Sequence, residues 1–324
     1  MARADVGLSA SKWSERKSTA AILVLIAAMA SAPLVLQTYG LDLLSEVLIF
    51  SIVAMSLDLL MGYGGLVSFG HAAFFGLGAY GTVVVSVKIG VSPWLGLLCG
   101  VALSTVGATL IGAFCVRMGG VAFLMLTLAF AQLLYSAAVK WRSLTGGSDG
   151  IGGLTRPELL GLPLSEPRIM YWFSLAVFVL VLAMMHRLIG AQFGRALVGL
   201  RENETRMRAL GYNTQKIKLL TFVISGAFAG LGGSLYAFYN GFVSPDALSW
   251  GTSGTILLMV VLGGASSLVG PAIGAAVFLL FKSFVSSHTE HWLLVVGVTF
   301  VSCVMFFRQG IYGMLRQKLG ATEP

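Results

Sequence analysis

Apolar runs long enough to cross a bilayer recur along nearly the whole of this 324-residue chain, and they limit its folding choices more than any other feature. In hydrocarbon every backbone polar group must be satisfied internally, so such runs become packed helices. With spans of roughly 17 to 25 residues, the sequence predicts ten: 19–36, 41–61, 66–87, 94–116, 120–139, 169–187, 217–242, 252–265, 268–286 and 292–307. The eighth is short. Hydrophobic residues make up 57% of the chain and charged residues only 10%, which leaves no stretch for a soluble domain. The expected class is an all-α integral membrane protein. Its parts are a tail at 1–18, a membrane domain at 19–307 with a polar segment at 188–216, and a tail at 308–324.

The net charge of +8 does not point to nucleic acid, because the basic residues are scattered among the links between spans. Alternating sides from a cytoplasmic N-terminus gathers most of them inside: Arg3, Lys12, Arg16, Lys17, Arg117, the group from Arg187 to Lys218, Arg308, Arg316 and Lys318. Lys88, Lys140, Arg142, Arg156, Arg168 and Lys282 are left outside. Positive charge favours the cytoplasmic side, so both termini are expected there. The first run also follows a basic segment and contains Ala28-Met29-Ala30, so cleavage as a signal peptide competes with retention as an anchor. Cys99, Cys115 and Cys303 lie in apolar runs without metal-ligand spacing and read as small packing residues.

Two links stand out. Residues 140 to 168 carry TGGSDGIGG together with Pro157, Pro163 and Pro167, which predicts an irregular, solvent-facing segment. The segment QFGRALVGLRENETRMRALGYNTQKIKLL, residues 192 to 220, reads differently. From Arg195 to Leu210 it contains good helix formers and no proline, with Glu202 preceding Arg206 and Glu204 preceding Arg208 at the supportive i,i+4 spacing. Gly211 supplies a stop, and Asn213 or Thr214 can cap the next helix. Charges interrupt the apolar positions Ala196, Leu197, Leu200, Met207 and Leu210, so this helix does not span. It lies along the membrane surface or enters a groove on a partner protein.

Within the spans, SFGHAAFFGLGAYG at 68–81 places Ser68, Ala72, Gly76 and Tyr80 on one stripe of a helix expected from Leu66 to Val87. Small residues there, Gly70 included, let a second helix approach closely. His71 falls about 7.5 Å from the cytoplasmic end of that helix. It can bond to Tyr63, Ser68 or a backbone carbonyl, or face a polar path. Gly226 and Gly230 form a GxxxG, repeated in spacing by Ala229 and Gly233. Of the acidic residues near the second span, Asp42 and Asp58 sit near its ends, while Glu46 lies deeper and is the candidate for lining a polar path.

Three stretches carry a family resemblance. GRALVGLRENETRMRALGYNTQKIKLLTFVISGAFAGLGGSLYA (194–237), GYGGLVSFGHAAFFGLGAY (62–80) and GGASSLVGPAIGAA (263–276) resemble signatures of ABC-importer permeases for branched-chain amino acids, the LivM-type family. The likeness runs from about residue 40 to the C-terminus. It implies that the segment from Ala196 to Gly211 is a coupling helix docking on a separate ATPase, with Gly194, Arg195, Ala196, Arg201, Glu202, Glu204, Arg206, Ala209, Leu210 and Gly211 as the coupling residues. Arg206-Met207-Arg208-Ala209 departs from the more alanine-rich sequence common in the family.

The resemblance further implies a multi-pass protein of the bacterial inner membrane, paired with a second related permease, two ABC ATPase subunits and an external substrate-binding protein. No cofactor is then expected on this chain, and ATP with Mg belongs to the ATPases. The chain lacks GxxxxGK[ST], as expected where hydrolysis resides on a partner. Leucine, isoleucine and valine are the implied cargo, with other amino acids, urea or short amides carried by relatives. A proton-coupled transporter using Glu46, Asp58 or His71 remains an alternative. So does an intramembrane serine protease built on Gly251-Thr252-Ser253-Gly254 and His291.

Overall fold

The computed structural model describes residues 29–33, 36–159, 161–291, 294–295, 297–299, 301 and 310–318. The first predicted span and its cleavage alternative therefore fall largely outside the described residues, as does most of the tenth. Among the described residues eleven helices of six residues or more have defined bounds. α1 (Thr38–Asp58) continues as a π turn over Leu59–Tyr63, and α2 (His71–Val83) continues as another over Val84–Lys88. They are followed by α3 (Pro93–Cys115), α4 (Gly120–Lys140), α5 (Pro167–Gly190), α6 (Gln192–Glu202), α7 (Glu204–Ala209) and α8 (Thr214–Asn240). α9 (Trp250–Gly263), α10 (Gly270–Ser286) and α11 (Gly310–Lys318) complete the order.

Among the described residues five helices are long and apolar enough to cross a membrane: α1 with its π turn, α3, α4, α5 and α8. α9 and α10 are shorter apolar helices. Proline at the first helical position starts both α3 and α5, where its missing N–H costs no intrahelical bond. The expected spans over these elements match within a few residues.

The third span is a correction. Leu66 to Gly70 are not helical, and α2 begins only at His71, so Ser68 is not on the helical stripe with Ala72, Gly76 and Tyr80. Gly64-Gly65 lets the chain leave the end of α1, and Gly65 adopts a positive φ of 67°. The entering segment then packs closely on α4, with the Gly70 Cα where an added Cβ would stand 2.8 Å from the Thr127 carbonyl oxygen. Irregular backbone at such depth is tolerated when protein covers it.

α8 is the hub, packed on α2, α3 and α1. Gly226 faces Ala108 and Gly230 faces Ser104, so a side chain at either glycine would collide with α3. Ser104 adds polar glue, its hydroxyl reaching the Phe74 carbonyl at 3.0 Å and the Gly226 carbonyl at 2.8 Å. α1 is the most enclosed span, and α3 and α4 are the least. Cys115 is buried and Cys99 exposed.

The link from 141 to 166 is more ordered than its turn-rich sequence suggests. It holds one helical turn at Arg142–Thr145, a β2–β3 hairpin (Glu158–Leu159 with Leu162–Pro163), and β1 (Ile151–Gly152) paired antiparallel with β4 (Phe242–Val243) after α8. Arg156 clamps it further, Nη2 to the Tyr239 carbonyl at 2.5 Å. Its glycines provide the turns that bring these short strands together.

Candidate functional site

The polar segment between α5 and α8 forms two helices rather than the single one expected from Arg195 to Leu210. The chain breaks at Asn203, whose extended backbone ends α6 and whose side chain caps α7 by accepting from the Arg206 N–H at 2.9 Å. Glu202 and Arg206 consequently belong to different helices. Glu204 and Arg208 share α7 and pair at 2.6 Å. Glu204 also takes Lys218 of α8 at 2.7 Å, which ties the hairpin to the start of that span. Burial alone would raise the Glu204 carboxyl, but hydrogen bonds from Lys218 and Arg208 outweigh it and hold the group below its ordinary value.

Gly211 ends α7 as expected. Its φ is +86°, and the Tyr212 N–H bonds to the Met207 carbonyl while the Gly211 N–H bonds to that of Arg208. This is the Schellman pattern, which places glycine where L residues are strained. Asn213 then caps α8 through the Lys216 N–H at 3.0 Å. Gly194, Leu197, Leu200 and Met207 face inward, whereas Arg195, Glu202, Arg206, Ala209, Leu210 and Gly211 are exposed and Ala196 is half-buried. Leu210 at 67% and Tyr212 at 49% exposure put apolar area on the tip of a charged hairpin.

Arg201 joins this hairpin to the membrane helices. Its Nη1 donates to the Gly62 carbonyl and to Ser266 Oγ, the latter at 2.5 Å. Ser266 lies in the turn between α9 and α10 and has a φ of +66°. Its N–H donates to Asp58 Oδ1 at 2.8 Å and its hydroxyl to the Gly62 carbonyl at 2.9 Å. Asp58, which the sequence places near the end of a span, is buried at this junction. One cluster thus connects α6, the end of α1 and the α9–α10 turn. The sequence reading missed Ser266 and Gly62 as its members; the carboxylate four residues before a glycine at the end of α1 was the available signal.

The other predicted residues lie apart from it. His71 does not pair with Tyr63, Ser68 or a carbonyl: its Nε2 lies 2.7 Å from Ser56 Oγ. Since that hydroxyl donates to the Val53 carbonyl at 2.7 Å, the ring nitrogen is the donor. Gly76 packs on the turn at Pro245–Leu248, where an added Cβ would approach the Ala247 carbonyl carbon at 3.2 Å. Tyr80 is buried on α2, and Glu46 on α1 feels the charge of Lys282 on α10. Ser253 is wholly buried and accepts the Ala72 N–H at 2.9 Å, which makes it a cap for α2.

A family model described as the branched-chain amino acid transport system / permease component matches residues 39–304. The chain is 28% identical over 322 residues to the high-affinity branched-chain amino acid transport system permease protein LivM of Escherichia coli, covering 92% of this chain and 75% of the relative. It is 25% identical to a probable LivM of Methanocaldococcus jannaschii, covering 81% and 86%. The autoinducer 2 import system permease protein LsrC of Photorhabdus laumondii is 27% identical, covering 68% and 71%. No solved structure gives a significant match. With several membrane-length apolar helices and this match along most of its length, the chain belongs to the permease components of branched-chain amino acid transport systems.

Proposed function

We propose that this chain is the membrane-spanning permease subunit of an ATP-driven ABC importer for leucine, isoleucine and valine. It spans the bacterial inner membrane about ten times with both termini in the cytoplasm, and forms the translocation pathway with a second, related permease. One of two ATPase subunits docks on the α6–α7 hairpin, and a soluble binding protein delivers substrate on the opposite side. Gly194, Arg195, Ala196, Arg201, Glu202, Glu204, Arg206, Ala209, Leu210 and Gly211 carry the coupling.

One observation supports this reading above the others: the hairpin offers an exposed apolar tip at Leu210 and Tyr212 while Arg201 bonds to two separate membrane elements. Movement of a partner against the tip is thereby passed to α1 and to the α9–α10 turn as a rigid-body shift. ATP and Mg stay with the ATPases, and this chain supplies binding surfaces rather than a reacting group. Deleting the chain in a background without other transporters for these amino acids is expected to abolish their uptake; unchanged uptake overturns the substrate assignment.

A further inference from the structure

The substrate pathway of a permease needs polar contacts at mid-membrane, and α4 carries an exposed glutamine at that depth. Phe123, Thr127, Ala131 and Ala138 form its buried stripe. The opposite surface is largely exposed and mostly apolar, with Val121, Met125 and Leu133 well exposed, and Gln132 is the exposed polar residue near its middle. At 100° per residue from Thr127, Phe130 and Leu133 fall on one side, about 60° and 120° round, while Tyr135 and Gln132 fall on the other, about 80° and 140° round. Ser136 lies between the flanks, opposite the buried stripe.

Phe130 fixes which flank faces which neighbour. Its ring meets that of Phe114 on α3, with centroids 6.3 Å apart. The Gln132 flank therefore turns away from α3. α4 also meets the Pro245–Leu248 turn and α9. The first turns of α9 present exposed Trp250 and Gly251 and half-buried Thr252 and Thr255.

Gln132 is exposed and lies about 18 Å along the axis from Gly120 and about 12 Å from Lys140, well inside a hydrocarbon layer of about 30 Å. A glutamine amide has two donor and two acceptor sites that hydrocarbon cannot satisfy. Polar residues at this depth face a bundle interior or a water-filled cavity. Leu133 is the neighbour suited to lipid, exposed and apolar on the α3 side.

We infer that the Gln132 flank of α4 lines the water-filled substrate pathway, with Gln132 as an uncharged polar contact for a zwitterionic solute. The inference rests on the permease reading above and adds to it the wall of the pathway. An amide and nearby hydroxyls can hydrogen-bond both a carboxylate and an ammonium without a fixed charge that would retain either.

The test is cysteine accessibility in the assembled transporter, with Cys99, Cys115 and Cys303 replaced by serine. Gln132→Cys and Leu133→Cys are each exposed to a charged, water-soluble methanethiosulfonate added on either side of reconstituted vesicles. Gln132→Cys is expected to react at least about tenfold faster than Leu133→Cys, and its modification to stop uptake. Equal, slow reaction at both positions overturns the inference, because the flank is then covered by lipid or by the second permease. Should Gln132→Cys fail to assemble, Tyr135→Cys on the same flank replaces it with the same two outcomes. ATP-driven uptake by the unlabelled complex is measured in parallel: its absence counts against the permease reading, whereas its presence with unreactive cysteines counts against the pathway wall alone.

Discussion

Arg201 Nη1 lies 2.5 Å from Ser266 Oγ, so a residue of the polar hairpin is bonded directly to the turn between two apolar helices. The same nitrogen donates to the Gly62 carbonyl at the end of α1, and Ser266 is held from its other side by Asp58. A displacement of α6 cannot leave these elements unmoved without breaking hydrogen bonds made by a charged group. Such bonds contribute about 1.5–3 kcal/mol.

Arg201→Ala is expected to leave assembly intact but lower ATP-driven uptake about tenfold, as the loss of about 1.4 kcal/mol of coupling implies. ATP hydrolysis by the complex continues, so the ratio of hydrolysis to transport rises. Arg201→Lys restores only part, because its ammonium sits on a shorter side chain than the Nη1 that makes both bonds. Parallel ATPase and uptake assays in proteoliposomes check this, and an unchanged ratio in Arg201→Ala removes the link.

Gly211→Val is expected to strain the end of α7 by about 1–2 kcal/mol, because valine at positive φ brings its Cβ against the backbone. Nothing lies within 4 Å of the added Cβ, so the effect is conformational and not a clash. Gly211→Asn, which tolerates this region, is milder. Coupling falls in the order Gly, Asn, Val while thermal unfolding of the membrane helices stays nearly constant; equal coupling in all three contradicts the assigned stop.

Gly230→Leu is expected to destabilise the helix bundle by several kcal/mol, since Ser104 occupies the space the side chain needs and overpacking forces α3 and α8 apart. Gly119→Ala, with open space around its Cβ, changes stability by less than about 0.5 kcal/mol. Thermal unfolding of the purified protein separates the two. Similar midpoints dispose of the close α3–α8 contact.

Glu204 predicts a pH dependence of the hairpin. Its carboxyl is depressed in the folded state, so its contribution is fully present above the ordinary glutamate value of 4.5 and is lost as the pH falls below that through the folded value. Protection of the amides across residues 203–213, taken relative to their intrinsic exchange at each pH, is expected to fall on acidification in this window, and Glu204→Gln to show the lower protection already at neutral pH. The same loss of protection on acidification of Glu204→Gln assigns it to another group.

The spans were legible because apolar length is a strong signal: 94–116 became Pro93–Cys115, with Pro93 fixing its start. The two helix breaks were not. Leu66 to Gly70 is as apolar as the helix it precedes, and only its tertiary cover allows it to be irregular. Asn203 falls among strong helix formers, and its capping of α7 wins over continued α6 only in the folded hairpin. Gly211 and Asn213 were readable because the stop and the cap are local chemistry. The Arg201–Ser266 contact joins residues 65 apart, beyond any spacing rule, and the extended local context of His71 concealed its bond to Ser56.

The most direct test of the account is to tag the chain, extract it gently from its native membrane and identify by mass spectrometry what copurifies. Two ATPase subunits and a second, related permease in one complex, sensitive to removal of Leu210 and Tyr212 from the hairpin tip, are the predicted result. A chain that reproducibly emerges alone contradicts it.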